Sequence, residues 1–254
     1  MVDPADILTK KLKEHSGLNG DDVAELSRLT YHRRSLRPNE DLVRQGDRPD
    51  VAALVLQGMV SRYHLLKSGG RQYLSFHIKG DLPDAQSLFL DYMDHAVCAI
   101  GEVELALMPH KEVIRAFVRR PSVGFAIWRE TLIDAAIFRE AITSNSGRSS
   151  RVRLAHLFCE LFYRARAIGL VQGNSCAVPL SQIQIGEALG MAIVTVNRAL
   201  QSLRRARLIE FRGGVLTVHD WKKLASAGDF SPEYLHLNRA SFHQRRGPSV
   251  SSGT

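Results

Sequence analysis

The sequence predicts an α+β fold in three consecutive parts. They are an amino-terminal antiparallel β-roll of the double-stranded β-helix (jelly-roll) kind, one long helix, and a carboxy-terminal winged helix-turn-helix. Three observations predict it. Between residues 41 and 109, Gly46, Gly58, Gly69, Gly70 and Gly80 punctuate short apolar or alternating runs, the signature of many short antiparallel strands. From Phe125 to Ile142 apolar residues recur at helical spacing. Residues 179–222 read PLSQIQIGEALGMAIVTVNRALQSLRRARLIEFRGGVLTVHDWK, which is two short amphipathic helices about a glycine, followed by a basic hairpin.

Taken in order, two helices are expected near Pro4 to His15 and Asp21 to Leu29. The roll follows, with strands at Val51 to Leu56, Met59 to Leu66, Gln72 to Ile78, Ala96 to Ile100 and Val103 to Met108. Pro121 opens the long helix, since proline is well tolerated at a first helical position, and the pattern carries it to about Ser144. Along it Phe125, Trp128, Leu132, Ala135 and Ile142 form a seam of alternating three- and four-residue steps, interrupted by Arg139. Such a seam suits a two-helix coiled coil. Ile127, Ile133, Ile137 and Phe138 make the helix apolar over most of its circumference. It either packs one side on the roll and the other on a second subunit, or is the wholly buried core helix of a monomer.

In the last part, Ser181 and Gln184 have the spacing of a capping box, and Ile185, Ala188 and Leu189 form the buried stripe. Gly190 supplies the turn, because a residue without a Cβ adopts positive φ at little cost. On the second helix Val196, Leu200 and Leu203 face the core. That leaves Ile193, Val194, Asn197 and Arg198 outward near the amino end. Arginine can pair bidentately with guanine, asparagine with adenine, and aliphatic side chains can meet the thymine methyl, so this face suits base reading in a DNA major groove. Ser181 and Gln182 are placed to hold the DNA backbone, Thr195 is a further DNA-binding candidate, Arg204 ends the helix, and Arg212 sits at the tip of the hairpin wing. A packed helical hairpin with solvated arginines is the plainer reading of the same outline. Cap, turn, arginines and wing together favour DNA.

Bulk properties agree. The net charge is +8, and the stretch from Arg148 to Gly213 holds ten arginines, no lysines and three acids, so nearly all the excess lies in this one stretch. A basic module favours a polyanion. No apolar run approaches the ~20 residues of a membrane span, and the start lacks the order of a secretory signal, so a cytoplasmic protein without membrane contact is expected. Cys98, Cys159 and Cys176 are too few and scattered for a disulfide framework or zinc site. A metal-dependent jelly-roll enzyme would need clustered ligands, whereas His64, His77, His95 and His110 stand alone. No catalytic residues, metal or cofactor are expected. The tail from Arg239 has the composition of a disordered end.

The motifs LVRQGD at 42–47, Gly58, Gly80-Asp81 and IGEALG…TVNRALQSLRRARLI at 185–209, in this order across residues 20 to 225, resemble the Crp/Fnr family of bacterial transcription regulators. The resemblance implies a sensor roll at 1–120, a dimerisation helix at 121–146, a DNA-binding domain at 147–225 and a tail at 226–254. It also implies a homodimer on a near-palindromic site in double-stranded DNA, with half-sites about one helical turn apart and RNA polymerase as a further partner. In members that bind cyclic AMP, a glutamate holds the ribose and an arginine-serine pair the phosphate. Here that cassette, from Asp84 onward, has Ala85, His95 and Ala96 at those positions, and Pro83 beside them. Alanine cannot accept a ribose hydroxyl, and neutral histidine replaces a bidentate guanidinium poorly, so no cyclic-nucleotide binding is expected. The iron-sulfur branch needs four cysteines where this chain has three. The effector is left open: there is none, or the roll binds an unidentified small molecule that gates DNA binding.

Overall fold

The computed structural model describes residues 3–237. The segment from Arg239 read as disordered lies outside the described residues. Helices α1 (Pro4–Lys13) and α2 (Gly20–Ser27) come first, the latter opened by a capping box between Asn19 and Asp22. Strands β1 (His32–Leu36), β2 (Asp41–Val43), β3 (Val51–Leu65), β4 (Arg71–His77) and β5 (Ala96–Pro109) then form one antiparallel sheet. Its order is β1-β5-β3-β4, with β2 on the far part of β5. Inside the roll lie Ala53, Val55, Val60, Val97, Ala99 and Leu105, while Leu54, Leu56, Ala106 and Met108 face outward onto α1 and the helices that follow the roll.

The strand boundaries correct the sequence reading in two places. The runs expected at Val51 to Leu56 and Met59 to Leu66 are one strand that ends at Leu65, and Ala96 to Ile100 and Val103 to Met108 are likewise one. Gly58 and Gly101 are not turns. Gly58, at φ +84°, lies where β3 shifts register against β5, and a Cβ there would come 2.4 Å from the Glu102 carbonyl oxygen. Glycine within a strand marks a bulge or close backbone approach as readily as a reversal.

Helix α3 (His110–Arg119) leads into α4 (Pro121–Gly147), with proline at its start as expected. Val123, Ala126, Ile127, Ile133 and Ala136 of α4 are buried. Phe125, Trp128, Leu132 and Ile142 are 48 to 68 % exposed, with Ala135 half-buried. One side of α4 therefore packs on the roll and the predicted seam is presented outward. After Arg148 and Ser149 come α5 (Ser150–Ala167), β6 (Ser175–Ala177), α6 (Gln182–Leu189), α7 (Ile193–Arg205), β7 (Ile209–Arg212), β8 (Val215–Val218) and α8 (Trp221–Ala227). The three short strands pair in the order β6-β8-β7. The expected boundary at residue 225 falls inside α8. Beyond it the chain returns through a 3-10 turn at Pro232–Leu235 that packs on α4, with Leu235 buried.

The carboxy-terminal module rests on the roll. Tyr63, Tyr73 and Phe76 share one apolar cluster with Leu154, Phe158 and Leu189. Beside it, buried Arg164 of α5 pairs with Asp81 at 2.6 Å and donates to the Phe76 carbonyl at 3.0 Å. Lys11 also reaches Asp81, at 2.8 Å, and Glu130 of α4 at 3.0 Å. Burial pushes the Asp81 carboxyl up, but Lys11 and Arg164 outweigh it and hold the group well below the usual carboxylate range.

Candidate DNA-reading face and the closed roll pocket

The module is built as its local signals dictate. Ser181 Oγ accepts from the Gln184 amide at 3.2 Å, and Gln184 Oε1 accepts from the Ser181 amide at 2.8 Å. Gly190 ends α6 at φ +61°. A second glycine, unremarked in the sequence, fixes the crossing of the two helices: a Cβ on Gly186 would meet the Met191 carbonyl oxygen at 2.6 Å. Val196, Ala199, Leu200 and Leu203 are buried beneath α7. Ile193 and Val194 are 46 % and 56 % exposed, Arg198 is exposed, and Thr195 and Asn197 are half-buried beside them. Ala192 at the N-cap offers no side-chain acceptor, which leaves the first amides of α7 pointing outward with the positive end of the helix dipole.

Ser181 is exposed and Gln182 half-exposed at the start of α6, on the approach to the same face. Arg205, Arg207 and Arg212 are exposed, and Gly213 and Gly214, at φ +58° and +74°, make the tight turn of the wing. Arg204 departs from the expectation of a free contact. It is half-buried, donates to the Phe211 carbonyl and lies 3.5 Å from Glu210, so its guanidinium braces the wing against α7.

In the roll, Asp84, Ala85, His95 and Ala96 are all buried, Ala85 against the helices that cover the roll and Ala96 in the cluster shared with the carboxy-terminal module. Asp84 accepts from the Ala53 amide at 2.8 Å, and burial pushes its pKa up to about 7. His95 is held by Asp94 at 2.6 Å and Gln86 at 3.1 Å, and burial lowers its pKa to about 4, so it is neutral at pH 7. No local pattern in the sequence marks the residue that packs beside them. Arg62 of β3, 2 % exposed, donates to the Pro83 carbonyl at 2.7 Å and to Gln86 at 3.2 Å, and pairs with Asp134 of α4. Its guanidinium lies 5.6 Å from the centre of the Phe138 ring. The cavity where the roll meets α1, α4 and α5, lined by Arg62, His77 and Ala85 together with Lys11, Asp134 and Arg164, measures about 30 Å³, the share of one water molecule. A nucleotide needs a pocket on the order of several hundred Å³.

The remaining candidates are engaged locally. His77 bonds Ser75 at 2.9 Å and His110 bonds Ser87 at 3.0 Å. Burial pushes the thiols of Cys98 and Cys176 up to about 11 and that of Cys159 to about 12, away from the reactive thiolate. No group of three metal-binding side chains occurs among the described residues, and no helix among them is long and apolar enough to cross a membrane.

A roll joined through a long helix to an arginine-rich winged helix-turn-helix defines a DNA-binding regulator with a sensor-type domain. Known proteins agree. Residues 33–120 match the cyclic nucleotide-binding domain and residues 152–227 the Crp-like helix-turn-helix domain. The chain is 24% identical to the transcriptional activator protein FnrL of Cereibacter sphaeroides over 84% of its length and 87% of that protein. It is likewise 24% identical to the transcriptional activator protein Anr of Pseudomonas protegens, over 85% of its length and 88% of that protein. In fold it is similar to FixK2 from Bradyrhizobium japonicum, with a TM-score of 0.72 at 23% identity, covering 80% of this chain and all of that one. The chain belongs to the Crp/Fnr family of transcription regulators, a family of DNA-binding proteins and not of enzymes.

Proposed function

We propose that the chain acts in the cytoplasm as a homodimer on a near-palindromic site in double-stranded DNA and works there with RNA polymerase, without a cyclic nucleotide or an iron-sulfur cluster. The observation that carries the DNA reading is the outward face of α7, where Ile193, Val194, Asn197 and Arg198 stand together at the uncapped end of the helix. Arg198 reads a guanine and Asn197 an adenine, the two aliphatic side chains meet thymine methyls, and Thr195, Ser181 and Gln182 contact the backbone. Arg212 lays the wing on phosphates. The apolar seam of α4 supports the dimer, because exposed Phe125, Trp128, Leu132 and Ile142 form an unpartnered apolar stripe. Independence from cyclic nucleotide is supported by Arg62, which occupies the roll pocket and ties it to α4.

Selection of bound sequences from random duplex DNA, without added ligand, tests this. A palindrome with half-site centres about one turn apart is expected. Arg198→Ala should bind that site more weakly by roughly 1 to 3 kcal/mol and relax preference at one base pair per half-site. Unchanged affinity and preference in that variant would refute the assigned face.

A further inference from the structure

A second cavity, outside the roll, measures about 440 Å³ and opens where β4, α4, α5 and α6 meet. Its walls are largely apolar, with Leu74, Phe76, Ile137, Phe138, Ala141 and Leu157 among them. The volume lies in the range of small-molecule sites, on the order of 300 to 1,000 Å³. It is not the space a partner subunit would take along the seam. On α4, helical spacing puts Ile137, Ala141 and Ser144 on the flank away from Phe125, Trp128 and Leu132, with Ile142 and Ser146 at the edge shared with the seam.

Two polar groups at this cleft have no partner. Ser144 is 4 % exposed and lines it, and its Oγ makes no hydrogen bond within the protein. Arg153 lines it as well; its Nη1 donates to the Leu189 and Asn145 carbonyls at 2.9 and 3.3 Å, while its buried Nε is unpaired. An unsatisfied buried polar group is costly and asks for an explanation. Both groups can donate, and one is cationic. The acid that also lines the cleft, Glu160, is engaged by Arg164 at 3.1 Å and by the Tyr234 hydroxyl at 2.9 Å.

We infer that this cleft is a binding site for a small organic monocarboxylate with an apolar body, its carboxylate accepting from Ser144 Oγ and Arg153 Nε and its hydrocarbon part lying against Phe76, Ile137 and Leu157. Ala188 and Leu189 of α6 close the same cleft, so an occupant touches the roll, the long helix and the first helix of the DNA-binding motif at once. That gives it a differential contact with any change in their relative position, the requirement for coupling to DNA affinity. The coupling rests on the DNA-binding reading above; the binding site does not.

Calorimetric titration of octanoate into the full chain, with no DNA present, tests the site and leaves the DNA reading untouched. One saturable site per chain is expected, binding octanoate more tightly than octan-1-ol. Ser144→Ala, nearly isosteric, should weaken octanoate about ten-fold through loss of one charge-assisted bond and narrow the preference over the alcohol. Ala141→Phe, which fills the cleft, should abolish binding while the circular dichroism spectrum stays that of the parent. Absence of saturable heat at millimolar octanoate overturns the inference. So does binding that Ser144→Ala leaves at parental affinity, or equal affinity for acid and alcohol.

Discussion

Replacing Arg62 with methionine should destabilise the protein by about 3 kcal/mol, and replacing its partner as well should return most of that loss. The guanidinium is 2 % exposed and holds three groups, the Pro83 carbonyl, Gln86 and the Asp134 carboxylate. Breaking a buried ion pair by removing one member costs about 3 to 5 kcal/mol, chiefly because the other charge is left without compensation. Asp134 keeps a side-chain exposure of 20 %, so water screens part of the cost and the lower end of that range applies. Burial already pushes its carboxyl above the usual value, and Arg62 is the larger of the two charges, with Arg164, that oppose this. Without the arginine the group protonates more readily, and the penalty should shrink as pH falls. In Arg62→Met with Asp134→Leu no charge remains, and apolar replacements of a buried pair are often close to neutral, so stability within about 1 kcal/mol of the parent is expected. Urea unfolding followed by tryptophan fluorescence measures all three proteins, since Trp128 lies on α4 and Trp221 in the DNA-binding module. A single variant within about 1 kcal/mol of the parent, or a double variant no better than the single, would refute the view that Arg62 and Asp134 form the strut between roll and long helix.

The seam gives a second prediction: because Trp128 and Leu132 are about half exposed, Trp128→Asp with Leu132→Asp should fold yet sediment as a monomer, and a parent that is itself monomeric would remove the basis for the dimer. Asp84 gives a third. Its folded pKa, raised by burial to about 7, exceeds the unfolded value of about 3.9, so the folded state holds a proton that the unfolded state has lost. Stability from this group is greatest below about pH 4 and falls as pH rises through 7. Asp84→Asn, which keeps an acceptor for the Ala53 amide, should therefore gain on the parent by roughly 2 to 3 kcal/mol more at pH 8 than at pH 5. A gain of the same size at both pH values would show that Asp84 is ionised in the folded protein throughout.

What the sequence disclosed and what it concealed divide along a physical line. The α6-α7-wing unit was legible because its determinants are local: a cap three residues from its partner, a glycine at positive φ, and apolar residues one helical turn apart. The outward face of α7 followed from the same period. The roll was legible as a class but not in its strand ends, because Gly58 and Gly101 carry the same mark whether they bend a chain or let two strands approach. Arg62 was illegible altogether. Within Met59-Val60-Ser61-Arg62-Tyr63 it reads as an outward residue of an alternating strand, and only Asp134, 72 positions later, explains its burial. Other long-range ties have the same form: Arg164 to Asp81, between α5 and the roll, spans 83 positions, and His156 to Tyr234, between α5 and the segment after α8, spans 78. The last of these lies in the stretch assigned to a tail, where Tyr234 also holds Glu160 of α5 and Leu235 packs under α4. Local patterning thus identifies the parts that read DNA, while the contacts that would let the roll, the long helix and the DNA-binding module answer one another are pairs of buried polar residues. Such pairs leave no period in a sequence, and they converge on the walls of the two cavities.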